Sequence, residues 1–188
     1  ERLFEKPYYR LVFGDSDGLP GLILDRYGDV LVAQLTTAGM ERIKEALIGA
    51  LHKVLKPVVI VLRNDTSSRA LEGLPNYVEV VHGTLPETVM MEENGAAFLI
   101  APLTGQKTGW FYDHRMNRAR MRHYVKDKRV LDVFSYIGGW GVQAACAGAR
   151  EVLCVDSSDK ALAQLRANAE LNNTGARVTA LHGDAFET

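Results

Sequence analysis

The sequence has little cysteine and no long uncharged stretch. Two cysteines, Cys146 and Cys154, cannot build a disulfide framework or a four-thiolate site, and the five histidines lack zinc-ligand spacing, so we predict no metal site. The longest run without charge, 133–149, is shorter than the roughly 20 apolar residues of a membrane helix. We therefore exclude an integral membrane protein, and because no charged-then-apolar leader opens the chain we expect a reduced, cytoplasmic setting.

The composition is that of an ordinary globular protein. The 188 residues are 47% hydrophobic and 24% charged, a length that suits one domain or two small ones. The net charge of −1 is unevenly spread, because residues 1–106 carry 10 Lys and Arg against 14 Asp and Glu, and residues 107–188 carry 12 against 9. Residues 113–129 contain seven Lys and Arg residues but only two Asp residues and no Glu. This stretch is either a solvated helix face or a surface for phosphates or a cofactor carboxylate.

The first half of the chain reads as short strands and turns around one helix. Met40, Leu47 and Leu51 belong to an apolar helical repeat that predicts a helix over 39–55, which Pro57 ends. Asn94-Gly95 is a strong hairpin signal. The predicted strands are 8–13, 22–26, 30–36, 58–62, 77–81, 89–92 and 96–101, and we interpret residues 1–104 as a small α+β domain.

From residue 105 onward, strand and helix patterns alternate, which is typical of a parallel α/β sheet. The predicted helices are 114–124, 139–148 and 159–171, and the predicted strands are 130–134, 151–155 and 178–181.

Three aspartates mark the predicted edge of this sheet. Asp132 precedes a glycine-rich turn, Asp156 ends the second strand and Asp184 follows the third. The carboxyl ends of parallel strands meet at the edge where open α/β sheets bind ligands. There, Asp156 would suit ribose hydroxyls, Asp184 an adenine amine and Asp132 an ammonium group. This order favours S-adenosylmethionine (SAM) over NAD, although each aspartate alone could cap a helix, and 139–144 matches the G-x-G-x-x-A dinucleotide pattern.

Two segments, GQKTGWFYDHRMNR (105–118) and RVLDVFSYIGGWGVQAA (129–145), resemble the RlmI-type SAM-dependent methyltransferases, which methylate cytosine C5 of bacterial 23S rRNA. GLPGLILDRYGD (18–29) is similar to the central domain of that family, so the resemblance covers nearly the whole chain. It implies that a Rossmann-like methyltransferase domain begins at 105, with SAM as cofactor and ribosomal RNA as partner. The alternatives are an NAD(P)-dependent oxidoreductase and a non-catalytic RNA-binding module.

The resemblance and the aspartates together give the candidate site residues. For RNA we predict contacts by Arg118, Arg120 and Arg122. For the cofactor we predict contacts by Gln106, Lys107, Thr108, Phe111, Asp113, Arg115, Asp132, Phe134, Ser135, Tyr136, Gly138, Gly139, Asp156, Ser158 and Asp184. A bland interpretation of 105–118 is a strand-to-helix connection with Trp110 and Phe111 in the core.

The family's reaction needs a cysteine, because a thiolate that adds to cytosine C6 makes C5 nucleophilic. We interpret Cys146 and Cys154 as small buried hydrophobes and expect the nucleophile to lie outside residues 1–188. Only three strands of the methyltransferase sheet are predicted in residues 1–188, and a doubly wound sheet needs strands on both sides of its switch point to close the ligand crevice. We therefore expect residues 1–188 alone to bind SAM weakly or not at all, and, without the nucleophile, to transfer no methyl group. An unpaired edge of the last strand would favour self-association, so a homodimer is among the expected partners.

Overall fold

Five strands form the sheet of the first half of the chain in the computed structural model, which describes residues 3–184 and Phe186. They lie in chain order: β1 (Tyr8–Phe13), β2 (Leu22–Tyr27), β3 (Val30–Leu35), β4 (Val59–Asn64) and β5 (Tyr77–His82). Neighbours are antiparallel except β3 and β4, which are parallel. Every residue of β3 and β4 is buried, which fits their mostly apolar sequences.

The predicted helix over 39–55 is wrong as a single element. The structure has α1 (Ala38–Arg42) and α2 (Lys44–Leu55), separated at Ile43, whose backbone leaves the helical region at φ −100° and ψ 14°. Neither Gly nor Pro marks this break. The face that packs on the sheet includes Leu47 and Leu51, whereas Ile43 is half exposed. A short helix that the sequence pattern did not indicate, α3 (Ser68–Leu71), precedes β5.

The predicted hairpin is confirmed as β6 (Val89–Glu93) and β7 (Ala96–Ile100). Asn94 and Gly95 at its tip have φ of 54° and 78°, the left-handed conformation that this tight turn requires. Residues 112–114 form one 3-10 turn before α4 (Arg115–Met121).

The last part of the chain is a three-stranded parallel sheet in the order β10–β9–β8, which confirms the α/β prediction. Its strands are β8 (Arg129–Val133), β9 (Glu151–Asp156) and β10 (Val178–His182), and its helices are α5 (Gly141–Cys146) and α6 (Asp159–Leu171). Val152 and Cys154 of β9 pack against Leu162 and Leu165 of α6 in its core. The expectation of burial is confirmed for Cys154 and wrong for Cys146, which is exposed because it is the last residue of α5.

Contacts divide the chain into two units. The first consists of residues up to Met91 together with Ile100–Tyr112, and the second of Glu92–Leu99 together with the residues from Asp113 onward. The sequence predicts a domain boundary between residues 104 and 105. That boundary stays a prediction. Along the part of the chain that the structure describes, no helix has the length and apolar character needed to cross a bilayer.

Candidate functional site

The loop between β8 and α5, residues 134–140, is the most unusual backbone segment of the second unit, and we call it the glycine turn. Phe134 and Tyr136 have φ of 60° and 48°, a left-handed conformation that is rare for bulky side chains and costs about 1–3 kcal/mol at each position. The backbone N–H of Ser135 donates to the Val155 carbonyl at 3.0 Å. The end of β9 therefore holds this strained turn in place.

Asp156, at the end of β9, joins two loops. Its Oδ2 accepts a hydrogen bond from the Tyr136 N–H at 2.8 Å, and its Oδ1 accepts one from the Ser158 N–H at 2.9 Å. The side chain is only partly buried, and each carboxylate oxygen has a second lone pair. Asp156 is thus fixed by the backbone and retains the capacity to accept two further hydrogen bonds.

Asp132 lies inside β8 and is 9% exposed. Its Oδ2 accepts a hydrogen bond of 2.8 Å from the N–H of Gly141, the first residue of α5. Burial raises the pKa of Asp132 to about 6; the charge of Asp156 acts in the same direction, and the Gly141 N–H and Arg118 oppose it. Asp132 therefore titrates closer to neutral pH than an ordinary carboxyl group.

The hydroxyl of Ser135 is buried without a hydrogen-bond partner among the described residues. Ser135 is 3% exposed. A buried hydroxyl without a partner costs free energy, so Ser135 is a candidate to bond a ligand or an ordered water.

A cavity of about 370 Å³ runs along β8 in the second unit. Its lining is mostly apolar and includes Met121, Trp140 and Ala144, with Asp132 as its carboxylate. Phe134, which is 65% exposed, is also part of the lining. Such a cavity can take an apolar group next to a charged or hydrogen-bonding one.

The remaining predicted residues of the second unit have different surroundings. The Ser158 hydroxyl caps α6 by accepting from the Ala161 N–H at 3.2 Å. Gly138 has φ 86°, and a side chain there would press on Leu165. Asp184 is exposed just beyond β10, at the same sheet edge as Asp156, and its Oδ1 accepts from the Phe186 N–H at 2.8 Å.

The segment 105–118 is divided between the units. Asp113 is exposed, with its carboxylate 3.7 Å from the His114 ring nitrogen, and Arg115 is half-buried in the second unit. In the first unit Gln106 and Lys107 are exposed, and the Lys107 ammonium lies 4.2 Å from the centre of the Phe111 ring.

Thr108 has a structural role within the first unit. Its side chain is fully buried, and its hydroxyl donates to Asp25 Oδ2 at 2.5 Å. The Tyr27 hydroxyl lies 3.0 Å from Thr108 Oγ1, and the Asp25 carboxylate also accepts two hydrogen bonds from Arg10. Thr108 therefore anchors the loop that contains Gln106 and Lys107 to the sheet of the first unit.

The structure corrects the expectation for Arg118. This side chain is buried, and its guanidinium donates two hydrogen bonds, of 2.6 and 3.1 Å, to the Glu93 carboxylate. Arg120 is exposed as expected, and Arg122 is exposed while donating to the Asn94 carbonyl at 2.6 Å. The regular spacing of these arginines concealed that one of them faces inward.

Sequence reasoning missed the partners of Arg118. Glu93 and Gln143 are both 1% exposed, and the Gln143 side-chain N–H donates to Glu93 Oε1 at 3.0 Å. Glu93 precedes the turn that indicated a hairpin, but nothing nearby in the sequence indicates that its carboxylate is buried. Its partners lie 25 and 50 residues further along the chain.

Comparison of the sequence with known proteins identifies its family. Residues 72–188 match the family model for S-adenosylmethionine-dependent methyltransferases, and the chain belongs to that family. The ribosomal RNA large subunit methyltransferase I of Aeromonas salmonicida is 46% identical over 165 residues, which are 87% of this chain and 42% of that protein. The resemblance found in the motifs is thereby confirmed. The chain spans less than half the length of the curated relatives it matches.

Solved structures give the same fold. A Streptococcus mutans protein assigned as a SAM-dependent methyltransferase superposes with a TM-score of 0.84 at 25% identity, over 97% of this chain and 47% of that one. A second structure, of an assigned methyltransferase complexed with SAH, superposes with a TM-score of 0.85 at 25% identity and the same coverage. The Rossmann-like fold class is confirmed.

Proposed function

We propose that the second unit binds SAM at the carboxyl ends of β8, β9 and β10, as part of a methyltransferase that acts on ribosomal RNA. The observation that carries the proposal is Asp156. Its two oxygens are held by backbone N–H groups from two loops and retain lone pairs at the sheet edge. A carboxylate in this position can accept hydrogen bonds from both hydroxyls of a ribose.

The other residues of this edge fit the same ligand. The Ser135 hydroxyl, buried without a partner among the described residues, can bond a polar group of the cofactor. Asp132 would face the ammonium group and Asp184 the adenine amine. When bound, SAM supplies an electrophilic methyl group, and the residues of this chain hold and orient it.

RNA is the proposed substrate because the relatives are named for methylation of ribosomal RNA. Arg120 and Arg122 are exposed on α4 and just after it, and we assign them contacts with RNA phosphates. Arg118 is left out of this assignment because its guanidinium is already hydrogen-bonded to the Glu93 carboxylate.

As the target atom we propose cytosine C5, which the motif resemblance implies. The chemistry requires a thiolate that adds to C6 of the base. Burial raises the pKa of the Cys154 thiol, and the charge of Asp132 raises it further, so this cysteine stays protonated. Burial likewise raises the pKa of the Cys146 thiol, and Cys146 lies at the end of α5 rather than in the glycine turn. We therefore propose that the nucleophile comes from a cysteine outside residues 1–188.

Calorimetric titration with SAH, SAM and NADH tests the cofactor assignment, with millimolar ligand so that weak binding is measured. For residues 1–188 we expect at most weak binding of SAH and SAM, and no binding of NADH. Asp159→Asn serves as the matched control for changes at Asp156, because Asp159 is an exposed aspartate at the start of α6. Binding of NADH without binding of SAH would overturn the assignment.

A further inference from the structure

We propose that the tip of the β6–β7 hairpin is a positioning device for the cofactor site, in which Glu93 holds Arg118 and Gln143 and so fixes α5, Trp140 and Asp132. The inference rests on the proposed function for its purpose, but its geometry stands independently. Glu93, Arg118 and Gln143 are positioning residues, and none of them needs to contact the ligand.

One buried carboxylate joins two helices. Glu93 accepts both hydrogen bonds of the Arg118 guanidinium, from α4, and a third from Gln143, in α5. The ion pair is shielded from water, with side-chain exposures of 3% for Arg118 and 0% for Glu93. Removal of one charge from such a pair leaves the other buried and uncompensated, so the geometry of this pair is tightly constrained.

The next residue, Asn94, completes the network. Its side-chain N–H groups donate to Gln143 Oε1 at 2.9 Å and to the Arg115 carbonyl at 3.1 Å. The Gln143 amide therefore donates to Glu93 and accepts from Asn94, which determines its orientation. The backbone at Asn94 is left-handed, with φ 54°.

The other strand of the hairpin reaches the glycine turn through α6. Asn168, which is fully buried, accepts from the Leu99 N–H at 2.8 Å and donates to the Ile137 carbonyl at 3.0 Å. Ile137 lies in the glycine turn, so a single amide side chain joins the hairpin to this turn. The hairpin thus holds both the turn and the helix that follows it.

Arg118 connects the network to the cavity beside β8. Its guanidinium carbon lies 5.9 Å from the centre of the Trp140 ring, and Trp140 lines the cavity with Asp132. The groups that act on Asp132 are Arg118 from α4, the Gly141 N–H from α5, and Asp156 from β9, where the Cys154 thiol also lies. Glu93 partly neutralises the one cation in this set.

This arrangement predicts opposite effects from removing the two charges of the pair. In Glu93→Gln, Arg118 is uncompensated and should stabilise the Asp132 carboxylate, which lowers the pKa of Asp132. In Arg118→Met, the cation is lost and the pKa of Asp132 should rise. The double variant removes both charges and should return the pKa toward the wild-type value.

The test is a carbon-13 NMR titration of the Asp132 carboxyl in residues 1–188, with Lys126→Met as the control for loss of an exposed cation. We expect opposite shifts of about half a pH unit or more in the two single variants and a smaller shift in the double variant. Shifts of the Asp132 pKa in the same direction, or no shifts, would overturn the inference. A network that only packs the helices would not shift this pKa in opposite directions in the two single variants. If Arg118→Met does not fold, Glu93→Gln and the double variant decide: a lower pKa of Asp132 in Glu93→Gln than in the double variant supports the inference, and equal pKa values overturn it.

SAH affinity, measured on the same proteins, separates this inference from the proposed function. We expect Glu93→Gln to weaken SAH binding several-fold although Glu93 does not contact the ligand. Opposite titration shifts in a protein that binds NADH and not SAH would overturn the proposed function and leave the positioning network intact.

Discussion

The backbone N–H of Tyr136 donates to Asp156 Oδ2 at 2.8 Å, which ties the strained glycine turn to the end of β9. Tyr136 has φ 48°, so this hydrogen bond helps to hold a conformation that the residue would otherwise leave. Asp156 therefore has a structural task besides the ribose contact that we propose. Substitutions of different shape can separate the two.

Asp156→Asn keeps one oxygen for the Tyr136 N–H and removes the charge, whereas Asp156→Ala removes both. Hydrogen bonds to a charged group contribute about 1.5–3 kcal/mol, so in a form of the protein that binds the cofactor both variants should weaken SAH binding about tenfold to a hundredfold. Only Asp156→Ala should also lower the free energy of unfolding appreciably. Calorimetry and urea denaturation measure the two effects, and an SAH affinity equal to that of Asp159→Asn would remove Asp156 from the site.

Gly141 should not tolerate any side chain. A Cβ atom there would overlap the Cys154 sulfur and lie 3.2 Å from Asp132 Oδ2, all within a buried core. Gly141→Ala should therefore lower the free energy of unfolding by about 1–3 kcal/mol. Combination with Cys154→Ala should recover part of this loss, as urea denaturation can show.

Gly49 provides the matched control. It lies in α2, is exposed, and has nothing within 4 Å of a built Cβ. Gly49→Ala should raise the free energy of unfolding by up to about 1 kcal/mol, because alanine has the higher helix propensity. Equal destabilisation by the two substitutions would contradict the packing argument for Gly141.

Local patterns in the sequence predicted local structure well. Helix α6 begins and ends at the predicted residues, because Ser158 caps it and an apolar face including Leu162 and Leu165 packs on β9. The alternation of strands and helices also gave the parallel sheet, and with it the edge where Asp132 and Asp156 lie. These features depend on residues that are neighbours within one turn or one strand.

Features that depend on distant partners could not be predicted. An arginine in a basic stretch is usually exposed, and only the tertiary position of Glu93, 25 residues earlier, makes Arg118 a buried ion-pair partner. Likewise, a motif match selected Thr108 as a cofactor ligand, and only the fold reveals Asp25, 83 residues earlier, as the acceptor of its hydroxyl. Such pairs follow from packing rather than from spacing.

Stability should depend on the protonation of Asp132. Its pKa is raised from 3.8 to about 6, so the folded state favours the protonated carboxyl. The resulting stabilisation is complete below pH 4 and is lost as the pH rises through 6, by an amount on the order of 3 kcal/mol. Asp132→Asn keeps an oxygen for the Gly141 N–H and cannot ionise.

The measurement for Asp132 is urea denaturation of wild type and Asp132→Asn between pH 4 and 7. As the pH rises through 6, we expect the free energy of unfolding of Asp132→Asn to increase relative to that of the wild type. The reason is that the wild type then carries a buried charge. Parallel curves for the two proteins over this range would mean that Asp132 ionises in the folded state as easily as in the unfolded one.

The three arginines predicted to meet RNA should separate into two classes. Arg120 and Arg122 are exposed, and if each neutralises one phosphate, their joint replacement by alanine should reduce the slope of log affinity against log salt by about 1.4 on single-stranded RNA. Their removal should leave the free energy of unfolding nearly unchanged.

Arg118→Ala should instead lower the free energy of unfolding by about 3–5 kcal/mol, because the Glu93 carboxylate is left buried without the Arg118 charge. Fluorescence anisotropy with labelled ribosomal RNA segments from 50 to 200 mM salt, together with urea denaturation, measures both effects. An unchanged salt slope in the Arg120 and Arg122 double variant would show that these side chains form a solvated helix face.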